Sequence, residues 1–325
     1  MSNNQKILLS GVKPSGQAHI GNYFGALKQF VDLQNQYRSF IMLADYHALT
    51  TVQDAEMLKR DTLDLVATYL AIGLDPTKVT LFKQSAVLEH TELAWIFNCL
   101  TTMPYLMRAH AFKDAEARSK EINVGLFDYP LLMAADILLY DADVVPVGQD
   151  QKQHLEITRD TADKFNRIYG EVFKLPEPLI LEEVKTIMGL DGQKMSKSYR
   201  NTIPLFAGEK ELRQLALAIK TDSKGENEAK NPEECSVFAL HKLFSQSDLL
   251  ELKKRYVAGT IRYKESKEIL AINMNKYLAP MRERYETLIQ NSVELAQILE
   301  NGATVARELA RQKMTEVKKK IGVSF

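Results

Sequence analysis

Cysteine is scarce: the 325 residues hold two, Cys99 and Cys235, far apart and in no CxxC pair. That excludes a disulfide scaffold and a zinc site built mainly on thiolates. No apolar run reaches the roughly 20 residues of a membrane helix, and MSNNQK passes straight into ILLSGV without a leader's apolar core and cleavage site. The expected location is therefore cytoplasmic, with no membrane partner. Net charge is missing too: 42 Lys and Arg balance 42 Asp and Glu. No global field draws the protein to nucleic acid, and RNA contact would need a local basic patch. One candidate spans residues 301 to 325, with Arg307, Arg311, Lys313, Lys318, Lys319 and Lys320 against Glu308 and Glu316. A solvated helix face accounts for it equally well. There is no GxGxxG, GxxxxGK[ST] or HExxH, no certifiable Ser/His/Asp or Cys/His arrangement, and no internal repeat. The dinucleotide fingerprint, the P-loop and a metal centre are thus unsupported.

What remains is an ordinary globular composition, 45% hydrophobic and 26% charged, long enough for a large core and a second domain. Short apolar runs alternate with amphipathic helical patterns through the first half, which predicts an α/β fold with a parallel sheet wrapped by helices. KILLSGV, FIMLAD, VTLFKQ and DVVPVG read as strands. Helical patterns cover 20 to 31, 54 to 74, about 89 to 140, and the run after Gly148. From Glu209 onward the period is helical almost throughout, broken by the polar loop TDSKGENEAKNPEE at 221 to 234. The boundary falls near 185 to 205, inside GLDGQKMSKSYRNT. Its lysines Lys194 and Lys197 sit among small residues, as in a solvated loop or a mobile clamp for a polyanion.

Three further places carry chemistry. After the first strand, Pro14-Ser15-Gly16 allows close backbone approach, and a helix begins at His19-Ile20-Gly21-Asn22, where unsatisfied N–H groups suit a phosphate. In YPLLMAADILLYDA, Asp136 is the one charged residue between Tyr129 and Tyr140, and Tyr129, Met133, Asp136 and Tyr140 share a helix face. A carboxylate there needs either an internal donor or a planar apolar ligand with one N–H or O–H. Finally, VVPVGQDQKQH turns from strand to helix at Gly148, with Gln149, Asp150 and Gln151 suited to an amino group or ribose hydroxyls, and His47 falls at the same sheet edge.

PSGQAHIGNY, then YPLLMAADILLYDADVVPVGQDQKQH, then KMSKS, in this order and at these distances, resemble the class I aminoacyl-tRNA synthetases, specifically their bacterial tryptophanyl branch. The likeness implies a Rossmann-like catalytic domain over 1–190 with a helical insertion at about 89–140, a hinge loop at 191–205, and a helical anticodon-binding domain over 206–325 ending in a C-terminal helix. It also implies the reaction: tryptophan and Mg-ATP give tryptophanyl-adenylate and pyrophosphate, and tryptophan passes to its tRNA. Partners would be tryptophan, ATP, tRNA(Trp) and a second copy of the chain, joined through segment 89 to 140. Carried over by motif, His19, Asn22, Lys194 and Lys197 would be catalytic. The ATP set would be Lys13, Ser15, Gly16, His19, Gly21, Asn22, Gly148, Asp150, Met188, Lys194, Met195, Ser196 and Lys197. Gly11, His47, Tyr129, Met133, Asp136, Val145, Val147 and Gln151 would surround tryptophan, whose indole N–H would be the donor Asp136 lacks.

The pattern departs from the family in places. Asn22 stands at the last position of the HIGH signature, as is common in this branch. Ala115 replaces a second lysine, leaving Lys113, Arg118 and Lys120 as alternatives for a further phosphate contact. Some relatives hold an iron-sulfur cluster on four cysteines; here Cys235 meets Tyr256, Tyr263 and Ser266 instead, so no cluster is expected and no metal ligand is assigned. The competing readings are a tyrosyl-tRNA synthetase, which shares both signatures, and a synthetase-like chain that binds tRNA or a partner without charging. A small-molecule nucleotidyltransferase would not need the long helical half.

Overall fold

The computed structural model describes residues 5–109, 112, 113, 116, 122–148, 152–180 and 187–324. Five strands form one parallel sheet: β1 (Ile7–Val12), β2 (Arg38–Leu43), β3 (Thr80–Lys83), β4 (Val144–Val147) and β5 (Glu177–Ile180), in the order β3-β2-β1-β4-β5. The register pairs Leu9 with Phe40 and Phe40 with Thr80, while β4 joins the other side of β1 at Leu8 and Val144. Alternation along the strands divides the interior in two. Leu8, Ile41, Leu43 and Leu81 face one layer, and Leu9, Phe40, Met42 and Phe82 face the other. With both faces covered, the strands read as continuous apolar runs, which is why their sequence signal is strong.

The first layer begins after β1. Helix α1 (Ile20–Asn22) runs through a π-helical turn (Tyr23–Leu27) into α2 (Lys28–Leu33), bringing Tyr23, Leu27 and Phe30 under the sheet. Beyond β2 come α3 (Asp45–Ala48) and α4 (Ala55–Ala71), the latter started by the Asp54 side chain, which accepts from Met57 N at 2.9 Å. Opposite lie α5 (Glu89–Leu100), α6 (Met103–Leu106), α7 (Val124–Leu138) and α8 (Lys152–Tyr169). The helical half comprises α9 (Glu209–Ala218), α10 (Ser236–Phe244), α11 (Leu249–Val257), α12 (Tyr263–Ile289) and α13 (Ser292–Ile321). Its core, including Phe238, Tyr256 and Leu270, is continuous with the α4 side of the sheet. None of the described helices is long and apolar enough to cross a membrane.

Three features depart from the sequence pattern. Strand β5 was concealed by Pro176 and Pro178, which deny donors to a ladder but are tolerated at a sheet edge. The helical stretch at 89 to 140 is divided: α5 ends at Leu100 and a separate helix, α7, begins at Val124 with Asn123 as its cap. And α13, grouped by pattern with the helical half, returns to the sheet. Its Ala303, Ala306, Ala310 and Met314 enter the α5–α7–α8 core. Gly302 lies so close to β3 that an added Cβ would stand 2.0 Å from the carbonyl oxygen of Leu81. The last helix thus covers the sheet edge that would otherwise present unpaired backbone groups.

Basic residues on that helix reinforce the docking. Arg311 pairs with Glu89, Lys313 with Asp141 at 2.9 Å and Lys318 with Glu92 at 2.7 Å. Much of the C-terminal basic run is therefore engaged within the chain. Gly302→Val is expected to lower unfolding stability by about 1–3 kcal/mol or more, because a side chain must push α13 off β3. Gly208→Ala, in open space, should stay within about 0.5 kcal/mol of the parent in the same denaturant titration. Equal stability of the two variants would contradict the close approach.

Candidate functional site

The strand order reverses between β1 and β4, and in open parallel sheets the crevice beyond the carboxyl ends of such strands receives the ligand. A cavity of about 330 Å³ lies there, at the small end of the roughly 300–1,000 Å³ range of small-molecule sites. Gly11 and Lys13 come from the end of β1, Met42 and Ala44 from β2, His47 from α3, and Val145 and Val147 from β4. Helix α7 contributes Tyr129, Met133 and Asp136 from one face. The structure therefore brings together seven of the eight residues expected around the amino acid. The eighth, Gln151, lies outside the described residues, as does Asp150 of the ATP set. At Gly11 a Cβ would come within 3.1 Å of Met42 Cε, so glycine leaves room on the cavity floor.

Asp136 is the charged end of this apolar space, and it has internal donors. His47 Nε2 reaches Oδ2 at 2.8 Å, and Gln84 Nε2 donates to Oδ1 at 2.8 Å and Oδ2 at 3.0 Å. His90 Nδ1 stands 2.6 Å from Oδ1, a close polar contact that departs from hydrogen-bond alignment. The expectation that a ligand supplies the missing donor is thus corrected: the desolvation cost is already met by three side chains from distant segments. Burial alone would raise the carboxyl pKa, but His90 and His47 outweigh it and hold the group down to about 2. It stays ionised, an acceptor with about four lone-pair sites, and of its three hydrogen bonds the Gln84 arm to Oδ2, at 3.0 Å, is the longest. Gln84 is fixed in turn, its Oε1 accepting from His47 N at 3.2 Å, while Asp45 ties α3 to Ser85 N at 2.9 Å. Tyr129 pairs with His154 of α8, and Lys13 Nζ lies 5.4 Å from the Tyr129 ring centre.

A second half of the site begins three residues after Gly11. Gly16 adopts φ +82, a conformation that favours glycine, and this turn leads to His19, the N-cap of α1. His19 Nδ1 accepts from Asn22 N at 3.2 Å, and Asn22 Oδ1 accepts from His19 N at 3.1 Å. Burial, helped by the Lys197 charge, lowers the His19 pKa to about 4. The ring is neutral near pH 7, and because Nδ1 accepts, its proton sits on Nε2 as a donor. A Cβ at Gly21 would meet the His19 ring at 2.9 Å and Met195 Cβ at 3.3 Å. Glycine is therefore what lets the two signatures touch.

Lys197 reaches back across that turn, donating to the carbonyls of Ser15 at 2.8 Å and Gly16 at 3.0 Å. Burial lowers its pKa, against the opposing influence of Asp61 and Asp64. Its loop is organised by Asn201, whose side chain accepts from Ser196 N at 2.8 Å and donates to Lys194 O at 3.1 Å and Asp191 Oδ1 at 2.7 Å. Met188 and Lys194 form an isolated antiparallel bridge. Met195 is buried, whereas Lys194 is exposed. Beyond the loop, Ile20 N donates to Ile203 O at 3.0 Å and Leu205 N to Ala18 O at 2.9 Å. This strap, invisible to motif reading, fastens the second signature to the first. Gly148 follows β4 directly, Lys113 is exposed, and Arg118 and Lys120 lie outside the described residues. Near Cys235, Tyr256 and Ser266 share a 2.6 Å hydrogen bond and His241 Nε2 lies 3.0 Å from Ser266 Oγ.

The chain is similar to known proteins over nearly its whole length. Residues 1–279 match the family described as tRNA synthetases class I (W and Y). A tryptophan–tRNA ligase of Fusobacterium nucleatum is 50% identical over 317 residues, covering 97% of each chain. A crystal structure of tryptophanyl-tRNA synthetase from Campylobacter jejuni, complexed with ADP and tryptophan, superposes with a TM-score of 0.92 at 46% identity, over 97% of this chain and 99% of that one. A tyrosyl-tRNA synthetase from Archaeoglobus fulgidus, with a TM-score of 0.66 at 20% identity over 87% and 91% of the two chains, shares the fold.

Because His19 has a lower pKa in the folded chain than the ordinary imidazole value of 6.5, the unfolded state binds the proton more readily. Its contribution to stability is full above about pH 6.5 and is lost as pH falls toward about 4. Imidazole NMR resonances assigned through a His19→Gln spectrum should accordingly show a midpoint near 4. A midpoint near 6.5 would contradict the buried, capped ring.

Proposed function

The chain belongs to the class I tRNA synthetases for tryptophan and tyrosine, and on that premise we propose that it is a tryptophan–tRNA ligase whose amino-acid pocket is built on Asp136. The observation that carries this reading is an ionised carboxylate at the end of a small apolar cavity beyond β1 and β4. An indole fills such a space and offers one N–H. A site built to accept that hydrogen bond rejects analogues without it by about 10⁴ or more, so no editing domain is required. The 50% identity to a tryptophan–tRNA ligase over 97% of both chains favours tryptophan over tyrosine.

Activation follows from charge and position. The tryptophan carboxylate, nucleophilic at neutral pH, attacks the α-phosphorus of ATP; the new P–O bond forms as the bond to pyrophosphate breaks. Catalysis consists of alignment and stabilisation of phosphate charge. His19, through its Nε2 proton, and Asn22 hold the phosphate and adenosine side, with Ser15, Gly16 and Gly21 allowing close approach. Lys13 stands between the amino-acid cavity and that turn. Lys194 and Lys197 take the pyrophosphate portion, Lys197 exchanging the Ser15 and Gly16 carbonyls for phosphate oxygens. Met188, Met195, Ser196, Gly148 and Asp150 complete the nucleotide set, and Gln151 holds the α-amino group. Mg²⁺ enters with ATP. A 3'-terminal ribose hydroxyl of the tRNA then attacks the acyl carbonyl and AMP leaves, with the helical half over 206–325 engaging the anticodon.

Exposed apolar side chains in and beside the segment at 89 to 140 support a homodimer. Leu88, Trp95, Met103 and Val124 are exposed, and Trp95, the chain's single tryptophan, is 70% so. Burying such a patch against a second copy would remove apolar surface from water. The reaction and the sequence both fit a cytoplasmic protein.

In ATP–pyrophosphate exchange, tryptophan is the expected substrate, and exchange driven by tyrosine alone would overturn the reading. Lys197→Ala should slow adenylate formation by about 10²-fold or more with little change in tryptophan affinity; an unchanged rate would remove that lysine from the mechanism. Sedimentation should give twice the chain mass of 36.9 kDa, falling to the monomer in Trp95→Glu, whereas a monomeric parent would exclude this interface.

A further inference from the structure

Behind Asp136, away from the cavity, stands a histidine that neither signature motif contains. His90 of α5 is fully buried, between the ring of Phe82, centred 6.2 Å away, and that of Tyr140, centred 5.6 Å away. Its Nδ1 lies 2.6 Å from Asp136 Oδ1 and its Nε2 lies 2.8 Å from the Tyr140 hydroxyl. The Tyr140 ring is itself stacked on Phe40 of β2, centroids 5.1 Å apart. His90, Tyr140 and Gln84 do not line the cavity, whereas Asp136 and His47 do.

We propose that His90, anchored by Tyr140, is a positioning residue for amino-acid selection: it holds the Asp136 carboxylate oriented so that Oδ2, whose second contact is the longer arm of Gln84 at 3.0 Å, can accept the indole N–H in place of that arm. This deepens the tryptophan reading of the pocket and rests on it. Tautomer logic supports the arrangement. Burial, with Asp136 and Glu89 nearby, pushes the Tyr140 phenol well above its usual range, so its O–H is retained and donates to Nε2. The imidazole proton then sits on Nδ1, facing a carboxylate that only accepts. Gln84 spans both oxygens and His47 occupies one site on Oδ2. His90 contacts Oδ1 alone and so adds no further donor to Oδ2, the oxygen offered to the ligand.

Tryptophan can be compared with its benzothiophene analogue, 3-(1-benzothiophen-3-yl)alanine, in which sulfur replaces the N–H. Kinetics of ATP–pyrophosphate exchange give kcat/KM for each. The parent should strongly prefer tryptophan; equal use of both would sink the pocket reading itself, and this inference with it. In His90→Leu, kcat/KM for tryptophan should fall about tenfold or more while that for the analogue stays within about twofold and the KM for ATP is unchanged. His90→Asn, which can return an N–H toward Asp136, should recover most of the loss. Tyr140→Phe keeps the ring and removes only the anchor, so it should lower the tryptophan value alone by about threefold; it carries the comparison if His90→Leu does not fold. Equal losses for both amino acids, or none, in the folded variants would overturn the assignment.

Discussion

The structure turns on one buried negative charge. An isolated carboxylate in an apolar interior would be costly to ionise, and Asp136 is 2% exposed. It remains anionic because donors converge from the end of β3, from α3 and from α5. His47 arrives from the connection after β2 and Gln84 and His90 from the one after β3, so the sheet order and the helix on its face are what make the charge tolerable. Discrimination follows from the same constraint. On the proposed reading, a carboxylate held by fixed donors accepts from a ligand in one direction only, where the longer Gln84 arm yields, and an amino acid without a donor there gains nothing from the site.

The phosphate side uses the opposite strategy. His19 and Asn22 cap each other on a three-residue helix, and Lys197 rests on two carbonyls it can leave. Its loop keeps internal order through Asn201, while the strap at Ile203 and Leu205 fixes where it returns to α1. Closing on a triphosphate and releasing pyrophosphate require such a part to move, while its attachment points stay fixed. On the proposed reading, the amino acid is judged by a rigid pocket and the nucleotide is held by a movable grip. They meet through Lys13 to Gly16, one turn of chain between cavity and anion.

Much of this was legible before any coordinates. Four of the five strands carried both-face apolar runs, and the helical second half showed in its period. One helix face gathered Tyr129, Met133 and Asp136, and the structure opens that face onto the cavity. What escaped has physical reasons. Strand β5 is a proline-bearing edge, and periodicity does not distinguish a helix of the second half from α13, which crosses back to the sheet. The small-residue spacing of Gly302, Ala303, Ala306 and Ala310 was the available signal for that close packing. The partners of Asp136 are 46 to 89 residues away in sequence, too far for any local pattern. A buried aspartate therefore announces that it needs donors without saying whether fold or ligand provides them; here the fold provides most and leaves a place.

On the proposed reading, Asp136 Oδ2 receives the indole proton in place of the longer Gln84 arm. The ¹H–¹⁵N spectrum of the protein loaded with tryptophan labelled at the indole nitrogen reports on that proton directly. A resonance shifted downfield from free tryptophan, slow to exchange with solvent, and lost from that position in Asp136→Asn is the expected result. An indole signal that stays near its free position and exchanges rapidly would place the donor elsewhere and contradict the account.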